Sequence, residues 1–435
     1  MPISARPIED GVVAVEHGRI AYVGNASGAP AGTTTDLGDA VLLPGLVNAH
    51  THLELTSLRG FLEGLDFPRW ITRLQTMKKA VFDRERFLDA ARMGITEGLL
   101  AGITTYADTC DSGVAFDAML EAGVRGIMYQ EVFGPDPAVA AASLADLATK
   151  VGALRPRETS LVRVGVSPHA PFTVSDALFR AVTDFATTHQ LPMAIHIAES
   201  DAESALVERG EGVFAEALRK RGVAVAPRAR SPIELLYHNG VLARRPLLIH
   251  SVRVDGADID RTARAKCPVA HCPVSNARLG HGTAPLLAML EAGIDVGLGS
   301  DSMASNDHMD MLAEARAAVV AQRALAGRED ALDAGVALHL ATLGGARTLG
   351  LDAEIGSLET GKAADLAAFP LPVDRGPVHD AAGVAVFALP GTAATLVTVA
   401  GRELVRDGRP VTADPDLPAR VDDTVRRLRE WTRSE

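Results

Sequence analysis

The sequence predicts an α/β fold: a (β/α)8 TIM-like barrel with a small discontinuous β-sandwich domain drawn from both chain ends. Three observations point to it. From Leu46 onward, over about 300 residues, short aliphatic runs alternate with amphipathic helical stretches, the pattern of a parallel sheet with crossover helices. Several of those runs end in a histidine or an aspartate where strand gives way to polar loop, which is where such barrels build their sites. Both ends of the chain instead show short strands split by glycine turns.

Taken in order, residues 11–24 read as two strands about a Glu-His-Gly turn, a hairpin signal. The first barrel strand ends in Pro44-Gly45-Leu46-Val47-Asn48-Ala49-His50-Thr51-His52. Further strands are predicted over 103–106, 125–129, 162–166, 193–196, 247–250, 269–272 and 295–298. Helices are predicted over 84–101, 138–151, 176–189, 212–221, 285–292 and 309–326. Strands return at 365–369, 393–399 and 403–406, and the charged stretch 422–433 reads as a terminal helix. This divides the chain into a barrel over 47–352 and a small domain from 1–46 and 353–435.

The 435 residues suffice for one large barrel and a smaller domain. With 47% hydrophobic and 23% charged residues, the composition is that of a globular enzyme. The net charge of −12 argues against nucleic acid as a partner, because only short basic clusters (219–221, 228–230 and 426–429) oppose it. Three cysteines, none in a Cys-x-x-Cys pair, build neither a disulfide framework nor a thiolate zinc cluster, and point to a reducing compartment. No secretory signal opens the chain and no apolar run reaches the roughly 18 residues of a membrane span, so the expectation is a cytoplasmic protein with a small-molecule substrate. A homo-oligomer is compatible with all of this.

The chemistry lies at the strand ends. Side chains on a strand repeat every second residue, so His50 and His52 point to one face. Alone, the pair would also fit a solvated surface. Here His196 closes the run 191–195 with Glu199 three residues on, His250 closes 246–249, and Asp301 closes 294–300. Imidazole and carboxylate together suit a borderline divalent ion, zinc first and ferrous iron as an alternative.

With this set assembled, the chain resembles the amidohydrolase superfamily, in its cytosine-deaminase-like branch of chlorohydrolases and amino-heterocycle deaminases. The resemblance runs through Gly18-Arg19-Ile20, Pro44 to His52, Ser167-Pro168-His169-Ala170-Pro171-Phe172-Thr173, and His196-Ile197-Ala198-Glu199-Ser200. It continues through His271-Cys272-Pro273-Val274-Ser275-Asn276, the stretch from Gly299 to Asn306, and the stretch from Gly356 to Leu366. The segment from His50 to Gly60, with Phe67-Pro68-Arg69-Trp70 after it, looks most like the aminodeoxyfutalosine deaminases of menaquinone biosynthesis, and related adenosine-type deaminases share much of it. The family usually carries another strand before Ile8-Glu9-Asp10-Gly11. Its absence implies either a missing edge strand or a true start upstream of Met1.

The resemblance implies one metal ion held by His50, His52, His196 and Asp301, lowering the pKa of a bound water toward 7. Two-metal relatives use a carbamylated lysine on a central strand, whereas Lys150, the one lysine between Lys79 and Lys220, falls in a helical stretch. Glu199 would protonate the ring nitrogen beside the attacked carbon and then departing ammonia. His250 would orient and polarise the attacking water, and Asp301 would accept its proton. His169 is either a substrate contact or a loop histidine set by the flanking prolines. Arg59, Trp70 and Phe172 either line the pocket or pack beside it, and His271, Ser275 and Asn276 read as structural. The reading is a metal-dependent hydrolase that deaminates an amino-heterocycle, aminodeoxyfutalosine or another adenosine-like nucleoside. The alternatives are a dechlorinase of triazine-like rings and a non-catalytic metal-binding barrel.

Overall fold

In the computed structural model, which describes all residues except 372, 373, 375, 376 and 435, the chain opens with the hairpin β1 (Gly11–Glu16) and β2 (Arg19–Asn25), followed by β3 (Ala40–Pro44). Eight parallel strands come next: β4 (Leu46–Thr51), β5 (Ile103–Cys110), β6 (Arg125–Val132), β7 (Val162–Pro168), β8 (Ala194–Ile197), β9 (Leu247–His250), β10 (Val269–His271) and β11 (Val296–Leu298). Nearly every residue of these strands is buried, because helices cover their outer face and side chains fill the interior. That burial is why they read as continuous aliphatic runs. Three strands extend past the predicted ends, to Cys110, Val132 and Pro168.

The ring consists of two four-stranded arcs joined at two seams. At one, the Val166 amide donates to Pro192 O at 2.9 Å and the His196 amide to His169 O at 2.9 Å. At the other, the Asp301 amide donates to His50 O at 2.9 Å and Thr51 bridges Asp301. Gly299 lets this second seam close, since a Cβ there would sit 2.9 Å from the backbone of His50.

The helices start where the sequence supplies caps. Asp66 accepts from the Arg69 amide (3.0 Å) at the head of helix Phe67–Val81, and Asp83 accepts from the Arg86 amide (2.9 Å) at the head of Arg84–Leu100. The sequence reading gives no helix over Phe67–Val81, whose buried stripe is narrow (Phe67, Trp70, Leu74 and Met77).

The strands β12 (Leu366–Pro370), β13 (Leu396–Val399), β14 (Arg402–Arg406) and β15 (Arg409–Pro410) join β3 in a five-stranded antiparallel sheet, ordered β15-β14-β13-β12-β3. The β1–β2 hairpin packs over it through Ile20, Leu358, Ala364 and Leu366. No strand precedes β1 among the described residues. Arg125, at the start of β6, makes a buried two-point pair with Asp365 (2.9 and 3.1 Å), tying this sheet to the end of the barrel away from the histidines. The terminal helix Leu417–Ser434 departs from expectation: it leaves the small sheet and lies on the barrel helices, with Arg420 paired to Asp89 at 2.9 Å. Its buried Leu417, Thr424 and Leu428 supply the apolar stripe that draws it there.

Candidate active site

Four strand ends bring the candidate residues together. His50 lies at the end of β4 and is buried, its Nε2 without a hydrogen-bond partner among the described residues and 3.2 Å from Asp301 Oδ1. His52 follows the same strand, and its Nε2 is 3.6 Å from Asp301 Oδ1 and 3.3 Å from His196 Nε2. The donor atoms of His50, His52 and Asp301 lie within 4.8 Å of one another, as do those of His50, His196 and His250.

The tautomers follow from the surrounding acceptors. His52 Nδ1 faces the Thr109 carbonyl at 2.9 Å, which can only accept, so Nδ1 carries the proton and Nε2 offers a lone pair to the cluster. His250 Nδ1 likewise faces Asn276 Oδ1 at 3.0 Å. Asp301 Oδ2 accepts from Ser275 Oγ (2.5 Å) and Ser305 Oγ (3.1 Å), which leaves Oδ1 toward the histidines. Burial pushes His52 down to about 4 and His50 and His196 down as well, so these rings are neutral. Burial opposes ionisation of Asp301, but the surrounding imidazoles hold it well below its ordinary range. Neutral imidazole lone pairs and one carboxylate oxygen, converging with His50 Nε2 orphaned, form a donor set that fits a divalent cation. Lys150 lies away from this cluster on helix Ala140–Leu154, paired with Asp146 at 3.0 Å.

Glu199 stands beside the cluster, its Oε1 3.6 Å from His250 Nε2 and 3.4 Å from His281 Nε2. Burial works against its charge, yet His250 and His281 hold the carboxyl below its ordinary range. Its position depends on a strained turn. Ala198, His250, Ser251 and Asp301 all adopt left-handed backbone, with φ of 51°, 73°, 48° and 57°, a cluster of costly conformations at one place. The buried Glu203 carboxylate secures that turn by accepting from the Ala198 (2.8 Å) and Glu199 (3.0 Å) amides.

A cavity of about 730 Å³ opens over these groups. Trp70 and Phe172 line it, together with Phe67, Leu74, Phe214 and Leu218, and Phe172 stacks on Phe214 with ring centroids 4.2 Å apart. Lys79 and Arg221 lie exposed among its lining residues, neither bonded to an acid among the described residues. His169 also lines it, with Nδ1 on Thr173 Oγ1 at 2.8 Å. Arg59 does not line it. Its guanidinium is held by Glu97 at 2.5 Å on the outer side of the 53–58 turn.

His271 is buried near His250 with neither ring nitrogen bonded among the described residues. Glu131 and Phe214 line the cavity and His281 stands beside Glu199, although the sequence reading gives none of the three a role. Glu131 carried a usable signal, since it ends the apolar strand β6 as the site histidines end theirs. His281 carried none, being one of several loop histidines.

The model of the amidohydrolase family matches residues 41–404. A 5-methylthioadenosine/S-adenosylhomocysteine deaminase of Moorella thermoacetica is 34% identical over 425 residues, 96% of this chain and 94% of that protein. A 5'-deoxyadenosine deaminase of Methanothermobacter thermautotrophicus is 31% identical, covering 93% and 92%. Among solved structures, an adenosine deaminase from Xanthomonas campestris with bound zinc superposes with a TM-score of 0.87 at 30% identity, over 100% of this chain and 97% of that one. An atrazine chlorohydrolase from Arthrobacter aurescens TC1 complexed with zinc gives 0.81 at 26% identity, over 96% of each chain.

Proposed function

The chain belongs to the amidohydrolase family and is a hydrolytic deaminase, and on that premise we propose that it removes the exocyclic amine of a 5′-substituted adenine nucleoside. Aminodeoxyfutalosine is the first candidate, ahead of the methylthioadenosine, S-adenosylhomocysteine and 5'-deoxyadenosine named for the relatives. The observation that carries the reading is the carboxylate of Glu199, held between His250 and His281 at the edge of the histidine cluster. Binding alone has no use for a buried acid in that place.

A divalent ion held by His50, His52, His196 and Asp301, zinc first and ferrous iron second, would supply an activated water at neutral pH. His250, with Nε2 turned to the same space as Glu199 Oε1, orients the water over the amidine carbon. The ionised Glu199 takes one proton of the attacking water and delivers it to the ring nitrogen beside that carbon; Asp301 takes the proton left on the added hydroxyl, and that proton passes to the departing amine as the new carbonyl forms. One water is consumed and one ammonia released.

The rest of the cavity supports a substrate longer than adenosine. Phe67, Trp70 and Phe214 form an apolar wall beyond the cluster, and Lys79 and Arg221 stand exposed among the lining residues. Aminodeoxyfutalosine carries an aromatic carboxylate beyond the ribose, which matches an apolar wall with unpaired cations. The test is ammonia release by metal-replete protein from a panel of 5′-substituted adenine nucleosides, with free adenine and a chlorotriazine as controls. Faster turnover of free adenine than of every nucleoside overturns the reading. Chloride release exceeding ammonia release would favour the dechlorinase, which the likeness to the atrazine chlorohydrolase keeps in view.

A further inference from the structure

The cavity holds a second polar corner that the proton transfers do not use. Glu131, at the end of β6, lines the cavity, is only 5% exposed, and keeps Oε1 without a hydrogen-bond partner among the described residues. That oxygen lies 3.9 Å from His169 Nε2. The other nitrogen of His169 faces Thr173 Oγ1 at 2.8 Å, and the Thr173 hydroxyl gives its own proton to Ala170 O at 3.1 Å. His169 Nδ1 is therefore the donor in that bond and Nε2 is an acceptor. Lys78, on the same side of the cavity, is bonded to Glu54 at 2.7 Å and leaves Glu131 unpaired.

A buried acceptor without a partner is costly, and its persistence calls for something that occupies it. Burial raises the Glu131 carboxyl to about 8 while no donor among the described residues reaches it, and hydrogen bonds from two hydroxyls would favour its ionised, accepting form. A cation is the first alternative, since Glu131, His169 and His196 have ligand atoms within 4.8 Å of one another. Lys78, however, opposes a further positive charge on that side. Two acceptors 3.9 Å apart facing one space instead complement a ligand that offers two adjacent O–H donors.

We propose that Glu131 and His169 form a hydroxyl-binding subsite for the vicinal 2′- and 3′-hydroxyls of the substrate's ribose, with Glu131 setting the preference for ribosides over deoxyribosides. This rests on the nucleoside reading above and names the residue that enforces it. The test compares kcat/KM for adenosine, 2′-deoxyadenosine and 3′-deoxyadenosine in the metal-loaded wild type, Glu131→Ala and Glu131→Gln. Metal content and circular dichroism are checked for each variant.

Hydrogen bonds to a charged group place the wild-type preference for the riboside at about 10- to 100-fold. Glu131→Ala should lower the riboside value by a similar factor while leaving the deoxyribosides within about threefold, so that the preference collapses, with Glu131→Gln between. An equal loss on all three substrates, or an unchanged preference, overturns the subsite. Loss of one of two bound ions in Glu131→Ala would identify a metal site instead and also overturn it. Calorimetric binding of inosine and 2′-deoxyinosine separates this inference from the deaminase reading. Riboside-selective binding that depends on Glu131, without turnover of any nucleoside, keeps the subsite and removes the reaction. Binding without selectivity removes the subsite even if deamination stands.

Discussion

Two walls face each other across the cavity, and they are held differently. The wall of strand ends fixes its groups through the backbone: His196 and Asp301 are tied by their own amides to neighbouring strands, and Ala198, His250 and Asp301 are bent into left-handed conformations. The opposite wall, helix Phe67–Val81 with Phe172 and Phe214, presents side chains from a single helix face and stacked rings. Its polar anchors are the Lys78–Glu54 pair, further bonded by Cys110 and Ser112, and the Trp70 Nε1 bond to Ala304 O. On the proposed reading, chemistry falls to the wall held through the backbone and selectivity to the wall whose residues can be exchanged one at a time.

The sharpest way to break that division is Glu199→Gln. The amide keeps shape and hydrogen bonding but carries no proton, so kcat should fall by roughly 10² to 10⁴ with the metal retained. Stopped-flow ammonia release and metal analysis measure both, and near-native turnover would reduce Glu199 to a structural role. The same analysis should find one ion per active chain, and two would contradict the mononuclear site.

Lys78→Met tests the anchor of the other wall. It leaves Glu54 buried without its counter-charge, at a cost of about 3 to 5 kcal/mol in denaturant unfolding at neutral pH. Lys78 holds the Glu54 carboxyl down to about 2 against the effect of burial. The stabilisation is thus present above the unfolded value near 4.3 and fades as pH falls toward 2. Adding Glu54→Gln to Lys78→Met should recover most of the loss, and failure to do so would show that packing of the lysine stem matters more than its charge.

Trp70→Ala should act on selectivity with little effect on chemistry. We expect KM for an extended nucleoside to rise about tenfold, in line with one to two kcal/mol of aromatic contact, while kcat for adenosine holds. A fall in kcat of the same size would show the two walls to be one unit.

The last test concerns pH. Burial pushes the Glu314 carboxyl, bonded by Asn306 beside Ser300, up to about 8. Between the unfolded value near 4.3 and about 8, the folded chain holds a proton that the unfolded chain has released. Stability therefore falls as pH rises, by up to about 1.4 kcal/mol per pH unit for each such group. Glu131 and Glu203, also raised to about 8, act in the same direction. The Tm of Glu314→Gln should decline less steeply than that of the wild type between pH 5 and 8, and parallel slopes would show that Glu314 does not titrate there.

The wall of strand ends was also the legible one. Its residues terminate apolar runs, so a change from aliphatic to His, Asp or Glu marks both the strand's end and the group displayed there. His50, His52, His196, His250 and Asp301 all follow that rule and stand together in the structure, and Glu131 follows it too. The helical wall is less legible: Trp70 and Phe172 are named from the sequence only as residues that line the pocket or pack beside it, and Phe67 is recognisable only once helix Phe67–Val81 is in place. Of the two readings open for Arg59, its contacts favour the second: a cation near a site segment is readily spent on a neighbouring acid, here Glu97. The amphipathic stripe of the terminal helix says that it packs, without saying on what.

The seam at which Asp301 meets His50 joins residues 251 positions apart in the chain, the first barrel strand and the last. A growing polypeptide on the ribosome therefore has its first two imidazoles long before it has the carboxylate they need, and no partial product can assemble the whole centre. Ion capture becomes a report that synthesis has passed the eighth strand and that the ring has shut. Conversely, an ion spanning those two strands acts as a clasp on the one joint that local folding cannot make. Stripping it should loosen amide exchange first at Asp301, while the interior of each arc stays protected.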